Sequence, residues 1–293
     1  MMNKRSKLAT LLLLLIAFAG ICVYYFSHHP VAVLDPKGPI ALHERNLIYF
    51  TLALCMVVVI PVFVLTIFFA WRYRESNNKA RYSPNLDHNS AAEAAWWLIP
   101  TIIIAILSVV TWRSSHSLDP FRPIDTTKRP LSIQVVAMDW KWLFIYPRQN
   151  IASVNYFQIP VNTPVDFEIT SDAPMNSFWI PQLGGQIYAM AGMATHLHLE
   201  ATNTGTYNGS SANISGQGFA GMSFTATASS RTDFQKWIQL VKTTGTPLNL
   251  ASYNRLAQPS SNDPVAYYSS EQPDLFGNVL ARFTVPGMEG YVQ

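Results

Sequence analysis

Hydrophobic residues fall into two regimes along this chain: long unbroken runs before residue 113, and short alternating ones after residue 130. Residues 46–71 carry no charge, and neither do residues 94–112. About 20 such residues, each adding roughly 1.5 Å of helix, cross the hydrocarbon of a bilayer. In lipid a segment must satisfy its own backbone, so runs of this length read as spanning helices. The pattern predicts a two-helix transmembrane hairpin over residues 46–113, its short loop carrying Arg72, Arg74, Lys79 and Arg81. Pro61 and Pro100 do not oppose this, since membrane helices tolerate proline. A further apolar run, residues 8–27, follows Lys4, Arg5 and Lys7 and has the charged start and apolar centre of an export signal. Cys22 stands where a bacterial lipoprotein signal is cut and lipidated, although Ile21 before it is larger than such sites favour. Residues 1–29 are thus expected to be either a signal ending at a lipidated Cys22 or a retained anchor helix. Residues 30–45, punctuated by Pro and Gly, form an outer linker.

Beyond a Pro-rich connector the period changes to two. Short runs at 131–138, 140–146, 165–170, 177–180, 195–201 and 219–227 are separated by Gly and Pro. Phe167 and Ile169, for example, alternate with Asp166, Glu168 and Thr170. Residues 130–230 are expected to form one antiparallel sandwich. Residues 232–242 return to helical spacing, with Phe234, Trp237, Ile238 and Val241 on one face. Residues 231–293 are accordingly expected to be a short helical C-terminal region, packed on the sandwich or on a partner.

Composition narrows the function. The chain is 49% hydrophobic but only 13% charged, and its net charge of +3 forms no basic stripe, so nucleic acid is not an expected partner. Its two cysteines, Cys22 and Cys55, both lie in the apolar segments. The β domain therefore has no thiol for a disulfide, a cysteine zinc site or a copper–thiolate site.

Several groups could carry chemistry. Ser90 and Glu93 have the S-x-x-E spacing of a capping box at the start of the second helix, and Glu93 is the last acidic group before the bilayer. Asp139-Trp140-Lys141-Trp142 predicts a strand with two tryptophans on one face and two charges on a solvated edge. His196 and His198 alternate on a strand without further ligands at metal-site spacing. Met190, Met193 and Met222 are soft donors that more often serve packing.

The stretch from Tyr207 to Met222 (YNGSSANISGQGFAGM) carries the most information. With the hairpin, Asp139-Trp140-Lys141-Trp142, LDPKG at 34–38, MNSFWIP at 175–181 and IYAMAGM at 187–193, it resembles subunit II of the haem–copper terminal oxidases. The resemblance runs from about residue 34 to about residue 280 and is to the quinol-oxidase branch, of the cytochrome bo type. It implies a cupredoxin-like Greek-key sandwich on the periplasmic side of a bacterial inner membrane. In the cytochrome c branch the loop reads G-x-C-x-E-x-C-G-x-x-H-x-x-M and, with an upstream histidine, holds a binuclear copper centre. Set on this chain, the histidine position is Asn176, the two cysteines Ser211 and Ser215, the glutamate Asn213 and the second histidine Phe219, with Met222 retained. The resemblance thus implies a vacated copper site and no metal or other redox centre on this chain. Haems, copper and ubiquinol oxidation are expected on a large partner subunit, in a complex that reduces oxygen to water and pumps protons. Glu93 matches a glutamate at the mouth of a proton path. The alternative is a membrane-anchored periplasmic copper carrier or sensor using the Met and His residues.

Overall fold

The computed structural model describes residues 31–77, 88–124 and 127–283, with isolated positions between 13 and 29. Cys22, Lys79 and Arg81 lie outside the described residues. The chain divides into two units, one of residues 1–42 and 124–293 and the other His43–Pro123.

The second unit is built on two helices, α1 (Pro39–Arg72) and α2 (Ser90–Ser117), each long and apolar enough to cross a membrane. Their large side chains are exposed all round, as lipid or a partner requires and water does not. Pro61 and Pro100 sit inside the helices without ending them. Hydroxyls along the spans bond back to their own backbone: Thr66 to Val62 O at 2.7 Å, Thr101 to Trp97 O at 2.7 Å, Ser108 to Ile104 O at 2.8 Å. His43 and Phe50 near the start of α1 line the same cleft as Val110 and Ser117 near the end of α2. The two helices are therefore antiparallel, as a hairpin demands. The expected outer linker is only partly irregular, because α1 already begins at Pro39.

The first unit is a sandwich of two sheets. Its strands are β1 (Leu131–Met138), β2 (Lys141–Tyr146), β3 (Ile151–Val154), β4 (Tyr156–Pro160), β5 (Val165–Ser171), β6 (Asn176–Trp179), β7 (Ile187–Ala189), β8 (Thr195–Leu199), β9 (Gly205–Ser211), β10 (Ser223–Ser229), β11 (Thr246–Leu248) and β12 (Ala266–Glu271). One sheet has the order β11-β12-β3-β2-β1-β5-β8, the other β4-β10-β9-β6-β7. The expectation of a purely antiparallel sandwich is corrected here. β1 pairs with β5, β4 with β10 and β11 with β12 in parallel. The pairs β1–β5 and β4–β10 join strands that are not neighbours in the chain, which alternation alone cannot reveal.

Between the sheets lie Trp142, Phe144, Phe157, Phe167, Phe178 and Phe224, all buried. Phe178 stacks on Phe224 at 5.0 Å, while Trp142 meets both edge-on. Burying each such ring stabilises the fold by roughly 1.5–3 kcal/mol. Helix α3 (Arg231–Thr244) closes one end of this core with Phe234, Trp237, Ile238 and Val241, the four residues its spacing assigned.

The seven-stranded sheet has a second apolar face, made of Val136, Met138, Leu143, Ile145, Ala152 and Val154. The C-terminal region covers it with Tyr253 of α4 (Leu250–Leu256) and Leu275, Phe276 and Val279 of α5 (Leu275–Phe283). That region is helical as expected, but it also supplies β11 and β12, so it extends the sheet as well as covering it. At the other end of the unit, residues 35–42 are threaded into the sandwich. Lys37 N–H donates to Gln182 O at 2.7 Å, Ala41 N–H to Leu183 O at 3.2 Å, and Thr202 N–H to Lys37 O at 2.8 Å. Gly38 makes this approach possible, since a Cβ there would lie 2.3 Å from Glu200 O.

Candidate functional site

Antiparallel pairing of β6 with β9, Phe178 opposite Ser211, sends the start of β6 and the residues after β9 out at one end of the smaller sheet. There the loop residues join. Ser211 Oγ lies 3.1 Å from Asn176 Oδ1 and 3.2 Å from Asn213 O, and Ser177 N–H approaches it at 3.4 Å. Asn176 Nδ2 donates to Pro174 O and Asn213 Nδ2 to Met175 O, each at 2.8 Å. Ser211 N–H donates to Met222 O at 3.2 Å, and Met222 N–H to Phe219 O at 3.0 Å. Phe219 opens a 3-10 turn, Phe219–Gly221, where the sequence pattern predicts strand; the strand starts only at Ser223. The Met222 side chain is buried in the core.

Trp140 underpins this loop. The predicted strand through Asp139-Trp140-Lys141-Trp142 is corrected: Asp139 and Trp140 form the two-residue connection between β1 and β2. Trp140 takes φ 63, which a bulky residue adopts only when its surroundings hold it there. Its indole N–H donates to Ser215 O at 3.2 Å, and its ring lies against Gly218, where a Cβ would come within 2.3 Å.

Lys141 is the sharper correction. The expected solvated charge is 1% exposed. Its Nζ donates to Leu256 O at 3.0 Å, to Gln258 O at 2.9 Å and to Ser260 Oγ, with Asp263 Oδ2 at 3.5 Å. It thus caps the end of α4 with a cation, where the carbonyls and the helix dipole favour one. Trp142, on the opposite face, is core. A second clasp, which the sequence pattern does not predict, joins the same region to β5. Asp172 Oδ2 accepts from Tyr253 OH at 2.5 Å and from Arg282 at 3.1 Å. Burial and the adjoining carboxylate raise the Tyr253 pKa, so the phenol stays a donor. A Tyr–Asp contact 81 positions apart leaves no local signal.

His196 and His198 share a face of β8, as their spacing predicts, and both approach Asp166 Oδ1, at 3.2 and 3.5 Å. Among the described residues no group of three or more His, Cys, Asp or Glu forms a metal site. Met193 is exposed and Met190 half-buried.

At the start of α2 the cap sits one residue earlier than the S-x-x-E spacing predicts. Asn89 is the N-cap, its Oδ1 accepting from Ala92 N–H at 3.0 Å. Glu93 Oε1 accepts from Asn89 N–H at 3.3 Å, the reciprocal arm of a box displaced by one position. Ser90 Oγ instead lies 3.2 Å from His88 Nε2. His88 Nδ1 lies 2.6 Å from Glu93 Oε1. Asn and Ser are equally good caps, so the adjacent pair Asn89-Ser90 could not be resolved by spacing alone.

Residues 147–228 match the family of the cytochrome c oxidase subunit II periplasmic domain, and residues 242–287 match the oxidase aromatic-rich motif. The chain is 53% identical to cytochrome bo(3) ubiquinol oxidase subunit 2 of Pseudomonas putida over 251 residues, 86% of this chain and 80% of that one. It belongs to the subunit 2 family of cytochrome bo(3)-type ubiquinol oxidases. The corresponding subunit of Pseudomonas aeruginosa is 51% identical over 86% of this chain and 76% of its own. Ubiquinol oxidase subunit 2 of Acetobacter aceti is 48% identical over 86% and 82%. The family gives the two regions of the first unit their meaning: β3–β10 fall mostly in the cupredoxin-like subunit II domain, while β11, α4, β12 and α5 fall in the aromatic-rich motif. As a bo(3)-type subunit 2, the chain is part of a haem–copper oxidase complex, an oxidoreductase, and its two long apolar helices suit a membrane-anchored subunit.

Proposed function

We propose that this chain is a copper-free subunit 2 of a proton-pumping ubiquinol oxidase in a bacterial inner membrane, with its sandwich in the periplasm. The observation that carries the reading is the side-chain set at the six loop positions. A binuclear copper centre takes thiolates and imidazoles, and Asn176, Ser211, Asn213, Ser215 and Phe219 offer amides, hydroxyls and a phenyl ring. These residues do not fit the metal. Hydrogen bonds among Asn176, Ser211 and Asn213 already engage their polar atoms, and the remaining soft donor, Met222, packs in the core. The carrier alternative draws little support, because His196 and His198 are engaged with Asp166 and Met193 lies on the surface.

With no electron relay of its own, the chain serves assembly and proton uptake. Its partners are a large haem-bearing subunit, which carries the haems, the catalytic copper and ubiquinol oxidation, the remaining oxidase subunits, and membrane lipid. Glu93, at the inner end of α2, is the point where protons enter; a carboxylate at a membrane boundary is a functional candidate by default. Cys22 is the lipid attachment point, in addition to the two helices that anchor the chain.

The test is metal stoichiometry. The full chain, purified without its partner subunits and equilibrated with copper, should keep none after a chelating wash. One or two tightly held ions per chain would overturn the reading in favour of a carrier.

A further inference from the structure

We propose that His88 collects protons for Glu93, an inference that rests on Glu93 being the uptake point. His88 Nδ1 lies 2.6 Å from Glu93 Oε1, a direct ion-pair contact between the ring and the carboxylate. The ring's other nitrogen lies 3.2 Å from Ser90 Oγ, so the imidazole stands between a hydroxyl and the carboxylate. The two side chains differ in exposure, 66% for His88 and 36% for Glu93. The histidine is the outer group of the pair and the glutamate the inner one.

Chemistry assigns the roles in the same order. Glu93 lies in the first turn of α2 and accepts Asn89 N–H. Imidazole is the side chain best suited to take up and release protons near neutral pH. An imidazole on the solvent side of the carboxylate therefore raises the rate at which that carboxylate is protonated.

The step balances as a two-ended transfer. His88 begins neutral, with its proton on Nδ1 shared toward Glu93 Oε1. Water delivers a proton to Nε2, giving the imidazolium. The Nδ1 proton then passes to Oε1, leaving a neutral ring protonated on Nε2 and a neutral Glu93 carboxyl. Glu93 gives its proton onward to the complex and returns to the anion. The exposed ring resets by losing its Nε2 proton to water and regaining one at Nδ1. One proton has moved from water to the inner group.

The competing account is a surface ion pair of little energetic weight. The experiment compares His88→Ala and Glu93→Gln in the assembled, haem-loaded complex, measuring quinol-driven oxygen consumption and proton uptake with and without added imidazole. His88→Ala should keep its haem content, turn over several-fold more slowly and recover with imidazole; Glu93→Gln should be slow and unresponsive. Full turnover in His88→Ala beside a slow Glu93→Gln would end the proposal and leave Glu93 taking protons directly. Full turnover in both would end the uptake reading itself. A slow His88→Ala that imidazole does not restore, or that has lost haem, would reduce the pair to a structural contact.

Discussion

Replacing Lys141 with Met should loosen the C-terminal region selectively. The substitution keeps most of the aliphatic stem but leaves Leu256 O, Gln258 O and Ser260 Oγ without their donor, and Asp263 without its cation. Hydrogen bonds to a charged group contribute about 1.5–3 kcal/mol each, so three of them set a ceiling of roughly 5–9 kcal/mol. The loss will be smaller. Ser260 can still donate to Asp263, at 2.8 Å, and the cleft beside Lys141, lined by Thr246, Ser252 and Arg255, admits water to the freed carbonyls. Breaking a buried charge pair from one side typically costs about 3–5 kcal/mol, and the lower end suits a site that rehydrates. At about 1.4 kcal/mol per decade, 3 kcal/mol makes local opening roughly 100-fold more frequent. Hydrogen exchange on the purified complex reads this directly: amides of residues 250–263 should exchange that much faster, while β1 and β5 remain unchanged. Adding Asp263→Asn should restore part of the loss by removing the stranded charge. Exchange within tenfold of wild type would refute the reasoning and return Lys141 to a tolerated, non-essential burial.

Two further outcomes follow from single positions. Burial pushes the Glu271 carboxyl up to about 7, against an ordinary glutamate near 4.5, so the folded state binds the extra proton between those values. Stability should therefore fall as pH rises from about 4.5 to above 7. Glu271→Gln should flatten that slope and raise stability at pH 8, by less than about 1 kcal/mol because the side chain is partly solvated; an unchanged slope in thermal melts would exclude Glu271 as its source. Gly38→Ala would bring a Cβ within 2.3 Å of Glu200 O, so the backbone must shift, at a cost of about 1–3 kcal/mol. The Lys37 and Ala41 amides should then lose their exchange protection, and retained protection would show that the segment adapts.

How far the sequence reveals the molecule depends on which forces leave a local pattern. The hairpin is legible because lipid tolerates no charge over twenty residues, and α3 because one face alone is apolar. β1 and β5 alternate on the core face and are legible for the same reason. β3 is buried on both faces and β9 is rich in Ser, Asn and Gly, so neither shows a period of two. The parallel pairing of β1 with β5 joins strands with β2, β3 and β4 between them in the chain. Lys141 misleads because charge ordinarily marks solvent; its partners are carbonyls 115 and 117 positions downstream, and carbonyls have no sequence identity. The loop positions are the opposite case. Asn176, Ser211, Asn213, Ser215 and Phe219 are ordinary residues singly, and only the resemblance of the whole motif to the family pattern singles them out. The cap at Asn89 and the contact of His88 with Glu93 needed coordinates, since both turn on which of two adjacent residues leaves the helix.

The pairing of β12 with β3 has a consequence for how the protein is made. Tyr267 completes its ladder opposite Ser153, so the centre of the larger sheet waits for a strand near the end of the chain. Until that strand emerges, β3 presents open backbone groups, an invitation to pair with a neighbouring chain. A chain released before about residue 270 leaves that edge unpaired and free to join a neighbour's.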